Sequence, residues 1–235
     1  MPELEPIAED WHRALAVVAH PDDMEYGAAS AVARWTRQGK QVAYVLVTSG
    51  EAGISSMPPE QVGPLRRAEQ EAGCAAVGVD DITFLEHRDG LVVADLELRA
   101  ELAGHIRRKK PEVVISINYR DSWGGSSWNH ADHRAVGVAL LDAVRDAANP
   151  WLFPELGEPW SGVRMVAFNG SPQATHGVDV TGSIESGIQS LSCHGTYLEN
   201  LDEPPDVDDF LRGSARVTGE RLGVELAVAF EVVTP

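Results

Sequence analysis

Short unbroken apolar runs alternate along the chain with longer stretches whose apolar residues recur three and four apart. The runs "ALAVVA" (14–19), "QVAYVLVTS" (41–49), "DITFLE" (81–86), "EVVISIN" (112–118) and "RMVAFN" (164–169) predict strands. They are brief and rich in Val and Ile, the pattern of strands covered on both faces. Between them, 25–40, 64–78, 95–110 and 130–148 keep the helical period, with Gly or Pro at their ends. This alternation predicts an α/β fold: a Rossmann-like, doubly wound, mostly parallel sheet with helices on both faces. The last third predicts a helix over about 181–201, an acidic Pro-rich loop at 201–209, a further helix and a final strand "ELAVAFEVV". A single domain over 1–235 is expected, its core over about 13–200 and a C-terminal helix and strand over 205–233.

In such a sheet ligands gather beyond the carboxyl ends of the strands. Two predicted loops there, 49–63 and 119–129, exceed the roughly two to six residues usual for these connections and overhang one edge. The first strand ends in "AHPDDMEYGAA", which sets His20, Asp22 and Asp23 at the same edge. Pro21 keeps His20 extended, and the turn that follows lets His20 and Asp23 converge while Asp22 faces them from the side. Imidazole nitrogen and carboxylate oxygen suit Zn²⁺ or a similar divalent ion. "WNHADHRAV" (128–136) supplies the further ligand. His130 and His133 lie three apart at a helix start, hence on one face, and also follow a strand. A His/Asp/His set leaves a coordination position open for water, as catalytic sites do, and Asp22 is placed to act as general base.

Composition narrows the rest. Hydrophobic residues make up 43% and charged residues 23% of the 235, as in ordinary globular chains. A net charge of −17 argues against a nucleic-acid partner, because phosphate contacts need clustered Lys and Arg. The one dense basic stretch, Arg107 to Lys110, reads as the last turn of a helix. No apolar run reaches the roughly 20 residues of a membrane span. The acidic N-terminal stretch lacks the features of a secretory signal, so a cytoplasmic location is expected. Cys74 and Cys193 have no CxxC partners and read as inert thiols.

The paired motifs resemble the zinc-dependent de-N-acetylases of the LmbE-like/GlcNAc-PI de-N-acetylase (PIG-L) family, over about residues 13–200. The resemblance implies a metal held by His20, Asp23 and His133, Zn²⁺ or equally Fe²⁺, with Asp22 as base. It implies that His130 stabilises the oxyanion or protonates the leaving amine, and that Asp132 orients a neighbouring histidine. "PLRRAEQEA" matches the family's Arg-x-x-Glu helix, making Arg66 either a substrate contact or a solvent-facing partner of Glu69. "LSCHGTY" places His194 where relatives carry a late histidine, lining the site or ending a helix. Of Trp123 and Trp128, one packs and one contacts substrate, and Trp128 stands where some relatives have an oxyanion-holding Tyr. This chain reads Met24-Glu25 where many relatives continue HPDDE, so Glu25 is expected to open the helix or support the site rather than ligate.

The implied activity is removal of an acetyl group from an N-acetylated amino sugar, a small-molecule conjugate, with a homo-oligomer left open. The alternatives are an amidase of a larger conjugate, such as a mycothiol S-conjugate or a natural-product amide, and a catalytically silent sugar- or metal-binding protein. A nucleotide-binding reading fails, since no GxGxxG follows the first strand.

Overall fold

The computed structural model describes residues 3–235. Among these residues, ten strands and seven α-helices run in the order β1 (Glu5–Pro6), β2 (Arg13–Val18), α1 (Ala29–Arg37), β3 (Gln41–Leu46), α2 (Pro59–Ala76), β4 (Asp81–Phe84), α3 (Leu96–Lys109), β5 (Val113–Ile117), β6 (Ser122–Gly124), β7 (Ser127–Trp128), α4 (Ala131–Ala148), β8 (Met165–Asn169), β9 (His176–Asp179), α5 (Ile184–Ser192), α6 (Gly195–Glu199), α7 (Val207–Leu222) and β10 (Ala227–Val233).

Eight strands form one sheet in the order β1-β9-β10-β8-β5-β2-β3-β4. β2, β3, β4, β5 and β8 are mutually parallel, and β10 runs antiparallel to both β8 and β9. The expected mostly parallel α/β sheet is what the chain forms. Because β3 and β4 build outward from one side of β2 and β5 returns to the other, the strand order reverses between β2 and β5. Doubly wound sheets open their ligand crevice at such a reversal.

Alternate residues of β2 feed two cores. Ala14, Ala16 and Val18 face α1, α2, α5 and α7, while Leu15, Val17 and Ala19 face α3 and α4. Each fully buried Val or Leu contributes about 1.5–3 kcal/mol, so the two-sided burial explains why these runs are apolar without alternation. The basic turn of α3 is structural. Arg107 is buried and donates to the carbonyls of Asp146, Ala147, Asn149 and Leu152, closing the end of α4.

Several expected boundaries move. Helix α1 begins at Ala29 rather than 25, because residues 21–28 form successive turns. Gly27 is needed there: a Cβ would lie 1.7 Å from Asn169 Oδ1. Helix α2 starts at Pro59 and shortens the expected 49–63 loop, a proline in the first turn costing nothing since its N–H has no helical acceptor. The helix expected over 181–201 breaks at Cys193–His194 into α5 and α6. The 119–129 loop carries the small β6–β7 hairpin. β1 and β9 have too few apolar residues to signal themselves.

Candidate metal centre and active site

The turn after β2 is built by its own carboxylate. Asp23 Oδ2 accepts from the N–H groups of Ala19 and His20 at 3.0 and 2.9 Å, which turns Oδ1 the other way. Oδ1 lies 3.0 Å from His133 Nε2 and 3.6 Å from His20 Nδ1, and the two nitrogens are 3.2 Å apart. Ligands about 2.0–2.1 Å from a tetrahedral zinc stand about 3.3 Å from one another, so the triangle has the size a metal ion needs.

The donor chemistry agrees. His133 Nδ1 faces Asn129 Oδ1 at 3.0 Å and donates to it, which leaves Nε2 with its lone pair. His20 Nε2 faces two carboxylates, Asp89 Oδ1 at 3.1 Å and Asp132 Oδ2 at 3.3 Å, so the proton sits there and Nδ1 is free. Three acceptor atoms thus converge on one point, a repulsion relieved by a bound metal ion or, without one, by protons on the imidazoles. Burial alone would depress the pKa of His20, but Asp23, Asp132 and Asp89 raise it well above its ordinary value. Burial works against ionisation of Asp23 as well, and His133 and His20 overcome it, holding Asp23 well below the usual carboxylate range. The cluster is an attractor of positive charge, and His20, Asp23 and His133 together fit a divalent ion.

Asp22 lines the same cavity as the triad. Burial pushes its carboxyl up to about 6, against the pull of the Arg66 guanidinium. Arg66, only 3% exposed, donates to Asp22 Oδ2 at 2.8 Å, to Pro21 O at 2.5 Å and to Gly50 O at 3.3 Å. The Tyr197 ring covers its other face at 3.9 Å. Arg66 is therefore not the solvent-facing partner of Glu69, whose Oε1 instead accepts from Thr196 N.

His130 lines the cavity and its ring meets that of His20 edge to face, 4.9 Å between centroids. Its Nδ1 accepts from Asp132 N at 3.1 Å, so the neutral ring carries its proton on Nε2. Burial lowers its pKa, and the charge on His20 lowers it further. Asp132 stands apart from the cavity, fully buried behind His20, where it also accepts from Gly90 N and Val92 N.

Two expected contacts lie elsewhere. Trp128 is 68% exposed on β7 and stacks with the Arg134 guanidinium, outside the cavity; Trp123, edge-on to His133 at 5.7 Å, lines it instead. His194 is wholly buried beneath α2, with Nε2 3.9 Å from Glu25 Oε2, and does not reach the cavity. Burial drives its pKa down to about 3. Cys74 and Cys193 are free thiols.

The motifs alone did not single out Asn129, Asp89 or Gln70. Asn129 lies inside the quoted "WNHADHRAV", and Asp89 follows a strand in an Asp-Gly turn at the ligand edge. Gln70 sits one helical turn after Arg66, and its Oε1 accepts from Asp22 N while its Nε2 donates to Glu25 Oε1.

Residues 15–144 match the PIG-L family, described as GlcNAc-PI de-N-acetylase. A 1D-myo-inositol 2-acetamido-2-deoxy-alpha-D-glucopyranoside deacetylase of Streptomyces avermitilis is 32% identical over 191 residues, which cover 68% of this chain and 62% of that protein. The chain spans about three fifths of the length of the first curated relatives it matches. Among solved structures, the N,N'-diacetylchitobiose deacetylase from Pyrococcus horikoshii superposes with a TM-score of 0.84 at 25% identity, covering 96% of this chain and 85% of that one. GalB, the 4-carboxy-2-hydroxymuconate hydratase of Pseudomonas putida, shares the fold at 21% identity, with a TM-score of 0.76 over 95% of this chain and 97% of that one.

Proposed function

The chain belongs to the PIG-L family of GlcNAc-PI de-N-acetylases, and from that membership we propose that it hydrolyses the acetamide of an N-acetylated amino-sugar conjugate, using Zn²⁺ or Fe²⁺. The observation that carries the reading is the convergence of His20 Nδ1, His133 Nε2 and Asp23 Oδ1 in a cavity that also receives Asp22. A binding protein needs the triad but not a base beside it, so Asp22 favours turnover. Since the fold also carries a hydratase, the argument rests on these residues and not on architecture.

His20, Asp23 and His133 would hold the divalent ion, which would supply Lewis acidity toward the amide carbonyl and the attacking water. Asp22 takes the proton from the attacking water. With Oδ2 tied to Arg66, Oδ1 is the basic atom, and a carboxyl raised to about 6 is a better base near neutrality than an ordinary one. The water oxygen bonds to the carbonyl carbon, and His130 donates from Nε2 to the developing oxyanion. As the C–N bond breaks, the proton held on Asp22 passes to the nitrogen, giving a neutral amine and acetic acid, and the acid's remaining proton then moves to the amine to give acetate and a protonated amino sugar. Asp132 and Asp89 hold the His20 ring in place, Asn129 holds His133, and Arg66 keeps Asp22 oriented and borders the substrate space.

The test is acetate release from N-acetylglucosamine and its conjugates by metal-stripped protein, before and after addition of Zn²⁺ or Fe²⁺. Metal-dependent acetate is expected. A protein that takes up one equivalent of metal and releases no acetate from any conjugate is not this enzyme.

A further inference from the structure

The cavity at the site, about 780 Å³, changes character along its length. At the triad it is lined by ionisable side chains: His20, Asp22, Asp23, Arg66, Asp89 and His133. From there it continues beneath α7 toward β10. Here Tyr26, Ile184, Phe210, Leu211, Ala215 and Val228 face it, and among the described residues no charged side chain lines this arm.

Topology makes the arm. β10 pairs with β8 only from Phe230 onward, so Ala227 to Ala229 project past the carboxyl end of β8 and form a wall. α7 closes over that wall, and at its start the Phe210 ring meets Tyr26 edge to face at 5.7 Å, forming a rim beside the turn that carries Asp22.

The polar groups of the arm are few, the Tyr26, Ser30, Ser214 and Thr218 hydroxyls and the Asn169 amide, and three of them are already engaged within the fold. Ser214 Oγ donates to Phe210 O and Thr218 Oγ1 to Ser214 O, both within α7, and Asn169 Nδ2 donates to Ala229 O. A polyhydroxylated group seated here would lose its water and recover few hydrogen bonds. An apolar group gains from the same transfer.

We infer that the natural substrate carries an extended apolar group, alkyl or aryl, that fills this arm while its amide lies at the triad. The inference rests on the amide-hydrolase reading for the placement of the amide, and on the cavity for the rest. Two parts of a substrate have this chemistry: an apolar aglycone on the sugar, or an N-acyl chain longer than acetyl.

The experiment compares three compounds on the metal-loaded protein. They are the methyl and hexyl glycosides of N-acetylglucosamine, and the methyl glycoside of N-hexanoylglucosamine. Amine release gives kcat/KM for each. In parallel, calorimetry on metal-loaded Asp22→Asn gives the affinity for each without turnover. Each buried methylene is worth about three- to fourfold, so one hexyl compound should exceed the methyl N-acetyl parent by at least tenfold in both measurements. The compound that gains identifies the part of the substrate that enters the arm. Phe210→Ala and Thr218→Arg, at positions only partly buried in the fold, should each reduce that ratio toward one. Equal affinity for all three compounds overturns the apolar arm whether or not acetate is released. Tighter hexyl binding, lost in Thr218→Arg, with no amine from any compound keeps the arm and removes the hydrolase reading.

Discussion

Gln70 Oε1 accepts the backbone N–H of Asp22 at 2.9 Å, and Asp22 is held there with φ at +90°. A non-glycine residue in that region costs about 1–3 kcal/mol and persists only where its surroundings enforce it. Helix α2 does the enforcing with one face: Arg66 grips Pro21 O and Asp22 Oδ2, and Gln70, one turn later, grips Asp22 N. Glu25 Oε1 accepts from Gln70 Nε2 at 2.8 Å and fixes the amide's orientation.

Gln70→Leu should release that turn. Asp22 N and Glu25 Oε1 lose their partner, costing about 1–3 kcal/mol each, and the base relaxes from its position. The expected outcome is a fall in kcat of roughly ten- to a hundredfold, with KM and bound metal little changed. Steady-state kinetics beside elemental analysis checks it. An equal loss of metal and activity would mean that Gln70 only supports the fold.

Asp22→Asn keeps the shape and the Arg66 contact but removes the basic oxygen. Turnover should fall about 10²–10⁴-fold while metal stoichiometry stays at one, because Asp22 is outside the donor triangle. Full turnover by the metal-loaded variant would exclude Asp22 as the base.

The residues behind the two histidines should tune metal affinity. Asp132→Asn weakens the acceptor for His20 Nε2–H, and Asn129→Ala removes the acceptor for His133 Nδ1–H. Loss of such partners typically costs about 10–100-fold in metal affinity. Competition with a chelator of known affinity measures it. Zinc bound as tightly as in the parent would show that the rings are oriented by packing alone.

His194 predicts a pH dependence of stability. Its folded-state pKa is about 3, against about 6.5 when exposed, so between those values the unfolded chain binds more protons. Stability is therefore lost as pH falls from about 6.5 toward 3, at up to about 1.4 kcal/mol per pH unit for this one group. His194→Gln cannot titrate and should flatten the slope by up to that amount. Urea unfolding at pH 6.5 and 5 reads the difference, and parallel slopes for parent and variant would contradict it.

The parallel sheet and the two motifs of the candidate metal triad were legible in the chain, because the signals for each strand and each motif are local. Strands such as β2 and β5 are buried on both faces and so are apolar at every position, and Pro21 with Asp23 shapes the His20 turn within four residues. His130 and His133 share a helix face by spacing alone. What the tertiary structure decided is what long-range packing brings together. Asp89, from the turn after β4, meets His20 across the sheet edge. Burial turned Arg66 inward onto Asp22 and carried His194 away from the cavity to Glu25. The break at Cys193–His194 and the boundaries of α1 and α2 followed from packing that no helical period encodes. The apolar arm exists because β10 outruns β8 and α7 closes over it, a relation between segments some 60 residues apart that leaves no periodic mark in the chain.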